Sequence, residues 1–320
     1  MNDESDDTEV LELVIPETLA GWRVDRALAM VTGRSRAETL RLVEAGLVSV
    51  AGKVVSKAST PLEAGQHLEA VVPPLPSGRV DADAMVPVDV VLEDRDFVIV
   101  NKRPEQVVHP GAGQMTGTLV AGLLARYPEM SQLVDLGRCE APRPGVVHRL
   151  DKGTSGLLVV ARTIEGYDSL SRQAAEHSME RTYWAMAEGH LSDDRGVIDA
   201  PIGRSLREPT MMAVRADGRV ARTHYEVIER LDTPHAATLV ELRLETGRTH
   251  QIRVHLAAIG HPVVNDQRYG HRRERRLAEG RFFLHSRSLS LRHPRTDEVV
   301  SALVALPDDL VALVGGTRWA

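Results

Sequence analysis

The chain has 320 residues, 42% hydrophobic and 26% charged, which excludes a disordered or collagen-like chain and allows two or three domains. Its single cysteine, Cys139, excludes an internal disulfide and any site built on two thiolates. No apolar run reaches the roughly 20 residues of a membrane-spanning helix, and the first residues are acidic where a secretory leader would be basic, so a cytoplasmic protein without membrane contact is expected.

The net charge of −6 is carried by the first twelve residues, which hold six acids and no base. Against the neutral remainder, Arg268 to Arg295 sets nine arginines against two acids, and Trp22 to Lys57 seven bases against three acids. Screening over about 8 Å makes such local patches count for more than the sum. They leave a nucleic-acid partner open beside the plainer alternative of solvated basic faces.

In chain order, residues 1–12 read as a disordered acidic tail. Val24, Ala27, Leu28 and Val31 fall at helical spacing before Gly33, predicting a first helix. Ser35 with Glu38 forms a capping box for a second, whose apolar stripe is Leu40, Val43 and Leu47, with Gly46 at its end. Val48 to Val55 predicts two short strands and His67 to Val72 another. Residues 13–73 therefore read as one small domain and the Pro-rich stretch 74–80 as a linker. In the large domain, 81–314, strands are predicted over Val86–Leu92, Phe97–Val100, Gly156–Ala161, Arg181–Ala187, Thr223–Val227 and Thr238–Leu244. Helices are predicted over Thr118–Tyr127, Ile164–Ala175 and His250–Ile259. Strands follow one another without intervening helices, which favours an α+β fold on a mixed, largely antiparallel sheet.

Two stretches resemble known families. Arg23-Val-Asp-Arg-Ala-Leu, Arg34-Ser-Arg-Ala and Leu47-Val-Ser-Val-Ala-Gly-Lys-Val-Val look like a small α/β S4-type RNA-binding domain, which implies that Arg34, Arg36, Arg41 and Lys53 track phosphates. A small helix-hairpin domain with a solvated rim is the alternative. His148-Arg-Leu-Asp-Lys-Gly-Thr-Ser-Gly156 closely resembles the active-site motif of the RluA/RluD-type pseudouridine synthases. Val98-Ile-Val-Asn-Lys102 with Val107-Val-His-Pro110, Arg181-Thr-Tyr-Trp-Ala, and Leu244-Glu-Thr-Gly-Arg-Thr-His-Gln-Ile-Arg-Val-His255 match its other motifs in order. The two-domain arrangement is closest to the RluD-type enzymes of large-subunit ribosomal RNA.

The resemblance implies an isomerase that detaches uracil from C1′, turns it and rejoins it through C5, on ribosomal RNA of the large subunit or a ribosome precursor. Asp151 is implied as the catalytic carboxylate, nucleophile or base on the ribose. Arg248 would pair with it, Tyr183 would stack on the detached base, and Arg149 would fill the space the everted nucleotide leaves. Leu150, Leu157 and Ile252 are expected as apolar walls that exclude water. A glycosidase would need two carboxylates where the motif supplies one. No cofactor is consumed and no metal is expected, because His250 and His255 are five apart and a single cysteine completes no cluster. The rival readings are an RNA-binding or ribosome-assembly protein without turnover, and a nucleoside hydrolase. Three positions depart from the family pattern: Arg103-Pro104-Glu105-Gln106 replaces a Pro-Ala-Gly-Leu type run, Gly153 a common acid, and Asn265 a common glycine.

Overall fold

The computed structural model describes residues 9–34, 36–72, 78–111, 113–232, 235–270 and 276–315. It divides into two compact units between Gly78 and Arg79. The Ser35 half of the capping box and residues 73–77 of the Pro-rich stretch lie outside the described residues, as do residues 1–8.

The first unit runs β1 (Glu9–Val14), a 3-10 turn, α1 (Val24–Thr32), α2 (Arg36–Glu44), β2 (Val48–Val50), β3 (Lys53–Val54) and β4 (His67–Val72). Its antiparallel sheet has the order β1-β4-β2-β3. Strand β1 corrects the expectation of disorder through residue 12, because Glu9 to Val14 pair in full with Val72 to His67. Leu11 and Leu13 turn onto the core while Val10, Glu12 and Val14 face solvent. A two-residue period thus buries one face of a segment whose charges sit on the other or beyond its start. The core beneath is Val24, Ala27, Leu28, Leu42, Val43, Val48, Leu68 and Ala70. Helix α1 stops at Gly33, which takes the left-handed conformation (φ 68°). Arg36, Arg41 and Lys53 are exposed and Arg34 is half-buried.

The second unit runs β5 (Val90–Glu93), β6 (Phe97–Lys102), α3 (Leu119–Arg126), α4 (Ser131–Asp135), β7 (Ser155–Ala161), α5 (Ile164–Ala175) and β8 (Glu180–Glu188). It continues through β9 (Arg195–Asp199), β10 (Ile202–Arg204), β11 (Met212–Val214), β12 (Arg222–Leu231), β13 (Ala237–Leu244), α6 (Gln251–Ala258), β14 (Leu284–Arg292), β15 (Val299–Leu303) and α7 (Asp308–Val311). Nine strands form one sheet, β5-β6-β7-β14-β8-β13-β12-β9 with β15 on β14, in which only β7 and β14 pair in parallel. The fold is α+β with a mixed, largely antiparallel sheet. Strands β6 and β7 are covered on both faces. Val98, Val100, Leu158 and Val160 pack with Leu119 and Leu123 of α3, and Phe97, Ile99, Leu157 and Val159 with Leu170 of α5.

Two differences from the sequence reading have local causes. Strand β5 starts at Val90, since Val86 and Val88 pack closely onto Gly122 of α3 instead. The arginine-rich stretch is not one open basic face: it contains β14, and several of its arginines are used internally. Arg281 is buried, Arg287 lies over the Trp184 ring at 4.1 Å, and Arg295 binds Asp96 through two hydrogen bonds. Among the described residues no helix is long and apolar enough to cross a membrane.

Candidate active site

Asp151 sits on the turn that leads into β7, closed by a hydrogen bond from the Thr154 N–H to the Asp151 carbonyl (3.1 Å). The next two carbonyls are each held by a buried basic side chain. Lys102, at the end of β6, donates from Nζ to the carbonyls of Arg103 (2.7 Å), Gln106 (2.9 Å) and Lys152 (3.0 Å). Arg281 donates from Nη1 to the Gly153 carbonyl (2.7 Å) and from Nη2 to Ser155 Oγ (3.0 Å). A Cβ at Gly153 would run into the Gly280 carbonyl and the Phe282 ring, so the acid common at this position in the family does not fit here.

The Asp151 carboxylate is 16% exposed, and its Oδ2 accepts from Arg253 Nη1 at 2.9 Å. Arg253 turns its other edge to the buried Asp266, with Nε to Oδ2 at 2.6 Å and Nη2 to Oδ1 at 2.9 Å, and its guanidinium stacks on Phe282 at 4.2 Å. A planar fork clamped on one carboxylate has one direction left for its remaining N–H groups, and here that direction is Asp151. Burial works against the charge, but the bonds to Asp266 and the charge of Asp151 hold the guanidinium above its usual pKa. This corrects the expected pairing of Asp151 with Arg248. Arg248 lies on the loop before α6 and donates from Nε to the Val220 carbonyl (3.0 Å), whereas Arg253 projects from the buried side of the helix.

Asp151 lines three cavities, of about 730, 490 and 60 Å³. The smallest brings it together with Tyr183 between apolar walls of Leu150, Leu244, Ile252 and Leu284, and Arg149 and Arg248 also border it. Leu157, expected as a wall, instead faces the core beside Phe97. Tyr183, on β8, is almost fully buried, which pushes its phenol above the usual pKa. Arg149 is exposed and borders all three cavities. Burial takes His109 down to about 4 and His148 down to about 3, helped respectively by Arg149 and Arg181, so both are neutral at pH 7. His250 stands with Nε2 3.9 Å from Asp151 Oδ1 while Nδ1 shares a hydrogen bond with Tyr269 OH (2.7 Å). His255 is a core residue between Thr223 Oγ1 and the Ala200 carbonyl.

Residues 96–258 match the family described as RNA pseudouridylate synthase. The ribosomal large subunit pseudouridine synthase D of Nitrosomonas europaea is 39% identical over 315 residues, covering 96% of this chain and 88% of that protein. The chain belongs to the RluA/RluD-type RNA pseudouridine synthases. This synthase is also 44% identical to an uncharacterized RNA pseudouridine synthase of Chloroflexus aurantiacus, over 93% of this chain and 90% of that one. Among solved structures, the human RNA pseudouridylate synthase domain containing 1 superposes with a TM-score of 0.55 at 28% identity, covering 72% of this chain and 89% of the human one.

The other departures from the family pattern are accommodated locally. Asn265 takes the left-handed conformation (φ 67°), which asparagine tolerates, and its side chain binds the Arg281 carbonyl and the Arg276 and Leu277 N–H groups. Glu105 is also left-handed (φ 62°) and lies 3.7 Å from Lys152. Of the site residues that sequence reasoning missed, Lys102, Arg181 and Arg253 all lie inside matched motifs. Asp266 and Arg281 carried no separate signal, because neither is part of a local pattern.

Proposed function

We propose that the synthase isomerises uridines of large-subunit ribosomal RNA and that Asp151 is its one catalytic carboxylate. The observation that carries this reading is the meeting of Asp151 with Tyr183 in a cavity of about 60 Å³ that Leu150, Leu244, Ile252 and Leu284 also line, with Arg253 holding the carboxylate from behind. Arg253 aims the Asp151 carboxylate at the ribose of an everted uridine. Uracil detaches from C1′, turns against Tyr183 while the walls exclude water, and rejoins through C5, whose hydrogen leaves as a proton. Arg149, exposed at the rim, occupies the stack in place of the everted base. Of the other carboxylates that border Asp151's cavities, Asp266 commits both oxygens to Arg253 and Glu105 and Glu279 are exposed to solvent, which argues against the paired acid and base of a glycosidase. The ribosomal substrate is supported by the name of the Nitrosomonas relative. We assign the first unit as an S4-like RNA-binding domain whose Arg34, Arg36, Arg41 and Lys53 follow phosphates, a reading its helix pair and small sheet support.

The test is tritium release from large-subunit ribosomal RNA carrying uridine labelled at C5. Isomerisation releases tritium and leaves the base attached, a hydrolase frees labelled uracil, and a simple RNA binder does neither. Asp151→Asn is expected to lower release by about 10³-fold or more while RNA is still retained on filters. Near-normal release by that variant would remove Asp151 from the mechanism.

A further inference from the structure

Arg181 is a buried cation without an anion. It stands on β8 two residues before Tyr183 and is 9% exposed. Among the described residues its guanidinium makes no hydrogen bond or ion pair, and its Nε is fully enclosed and unpartnered. The other deeply buried arginines of the unit are compensated: Arg253 has two carboxylates, and Arg281 has Asp309 and three carbonyls. Nη1 and Nη2 are not enclosed in this way and open toward the cavities that Arg181 lines, but a guanidinium held at 9% exposure with no protein acceptor is a costly arrangement. Such a group persists where a ligand supplies the missing charge.

The surroundings indicate which charge. Arg181 lines the cavity of about 490 Å³ that also holds Asp151, Arg149 and Arg248, and among the described residues the Arg248 guanidinium donates only from Nε. Both Arg181 and Arg248 continue into the neighbouring cavity of about 780 Å³. The Arg181 guanidinium lies against Gly247, where a Cβ would stand 3.5 Å from Nη1. His148 in the same cavity accepts the Val159 N–H on Nε2 (3.1 Å), so its proton is on Nδ1, which is enclosed and has no acceptor. The cavity is rich in donors and cations, and its one carboxylate, Asp151, is held by Arg253.

We propose that Arg181, backed by Arg248, binds a phosphodiester of the RNA strand beside Asp151 and so holds the ribose whose glycosidic bond is cut. The inference rests on Asp151 being the reacting carboxylate of an RNA isomerase. Uracil must turn while its sugar stays in place, and a phosphate covalently attached to that sugar is the anion by which the protein can fix it.

The experiment uses the full chain and C5-tritiated large-subunit ribosomal RNA, comparing wild type with Arg181→Gln and Arg181→Lys across a potassium chloride series. For Arg181→Gln the expected outcome is a KM raised about 10- to 100-fold and a log–log salt slope shallower by about 0.7 to 0.9, with an unchanged unfolding midpoint. Arg181→Lys is expected to keep the slope, which a merely structural role would not separate from the Gln variant. A wild-type slope in a folded Arg181→Gln protein would overturn the phosphate site. If wild type releases no tritium, the isomerase reading fails, and the salt slope of RNA retention on filters still judges Arg181 by itself. Should Arg181→Gln not fold, the Arg181 Nε–H resonance of wild type decides. A shift with uridine 3′-monophosphate but not with uridine supports the site. No shift with either, or an equal shift with inorganic phosphate alone, overturns it.

Discussion

Asp266 is buried, borders the cavity of about 730 Å³ and accepts the Arg268 and Tyr269 N–H groups on Oδ1, and it decides where Arg253 points. Replacing it by asparagine removes one of the two charges that balance the buried guanidinium and breaks the symmetric fork. Asp266→Asn is expected to lower kcat by about 10- to 100-fold, the cost of a weakened charge-assisted bond, with RNA retention on filters little changed. Arg253→Lys should not preserve activity, because a point charge cannot serve two carboxylates in a fixed plane. An Asp266→Asn enzyme with full kcat would show that the fork does not aim Asp151. Glu105 allows a cleaner test of backbone strain. Its left-handed φ of 62° suits glycine, and among the described residues its only ion pair is with an exposed lysine. Glu105→Gly is expected to raise unfolding free energy by about 1 kcal/mol in urea melts. At this scale the sequence showed Asp151, Tyr183, Arg149, Leu150 and Ile252 as letters of motifs. It did not separate Arg248 from Arg253, which share one motif. The difference arises where α6 begins: His250 is left-handed, the helix starts at Gln251, and that start turns Arg253 inward and leaves Arg248 on the approach loop.

The turn bearing Asp151 is positioned by elements that are far apart in the chain. Helix α7 contributes Asp309, whose Oδ2 accepts from Arg281 Nε at 2.8 Å, and Arg281 in turn holds the Gly153 carbonyl. Asp309→Ala leaves Arg281 buried without its carboxylate. A stability loss of about 1–2 kcal/mol is expected, below the usual figure for a buried pair because Asp309 is half exposed, together with a lower kcat as the turn loosens. Lys102 grips the other side. Burial lowers its pKa from 10.5 to about 7, with the charge of Arg281 adding to the effect. With the folded pKa depressed, the unfolded chain binds more protons between about pH 7 and 10.5. Wild-type stability should therefore rise relative to Lys102→Met as pH rises through that window, with a limiting slope of about 1.4 kcal/mol per pH unit. A flat difference between the two proteins in urea melts from pH 7 to 10 would mean that Lys102 keeps its ordinary pKa. The elements themselves were legible where a period was clean, as in α5 and β13. They were hidden where charge dominated composition, as in β1 among acids and β14 among arginines, because burial follows which face a side chain occupies and not how many charges its neighbours carry.

At the scale of the whole molecule, the division between Gly78 and Arg79 separates the one hydrophobic cluster of the first unit from the three of the second, and the two sets share no residues. The nine-stranded unit contains Asp151, Tyr183, Arg253, Asp266 and every residue lining the three cavities. The first unit contributes a surplus of bases between Trp22 and Lys57 and none of that chemistry. Residues 79–320 alone are therefore expected to unfold cooperatively and to isomerise uridine with a kcat close to that of the full chain. Their KM for ribosomal RNA should rise about 10-fold or more, since each lost phosphate contact removes a sequence-independent share of the attachment energy. The salt slope of RNA retention should be shallower for the same reason. Mapping pseudouridines after reaction with the fragment separates attachment from choice. If the first unit only tethers the RNA, the same uridines are modified more slowly, and if it also orients the RNA, new uridines appear. A fragment with an unchanged KM and an unchanged salt slope would remove the first unit from RNA binding altogether, and Arg34, Arg36, Arg41 and Lys53 with it.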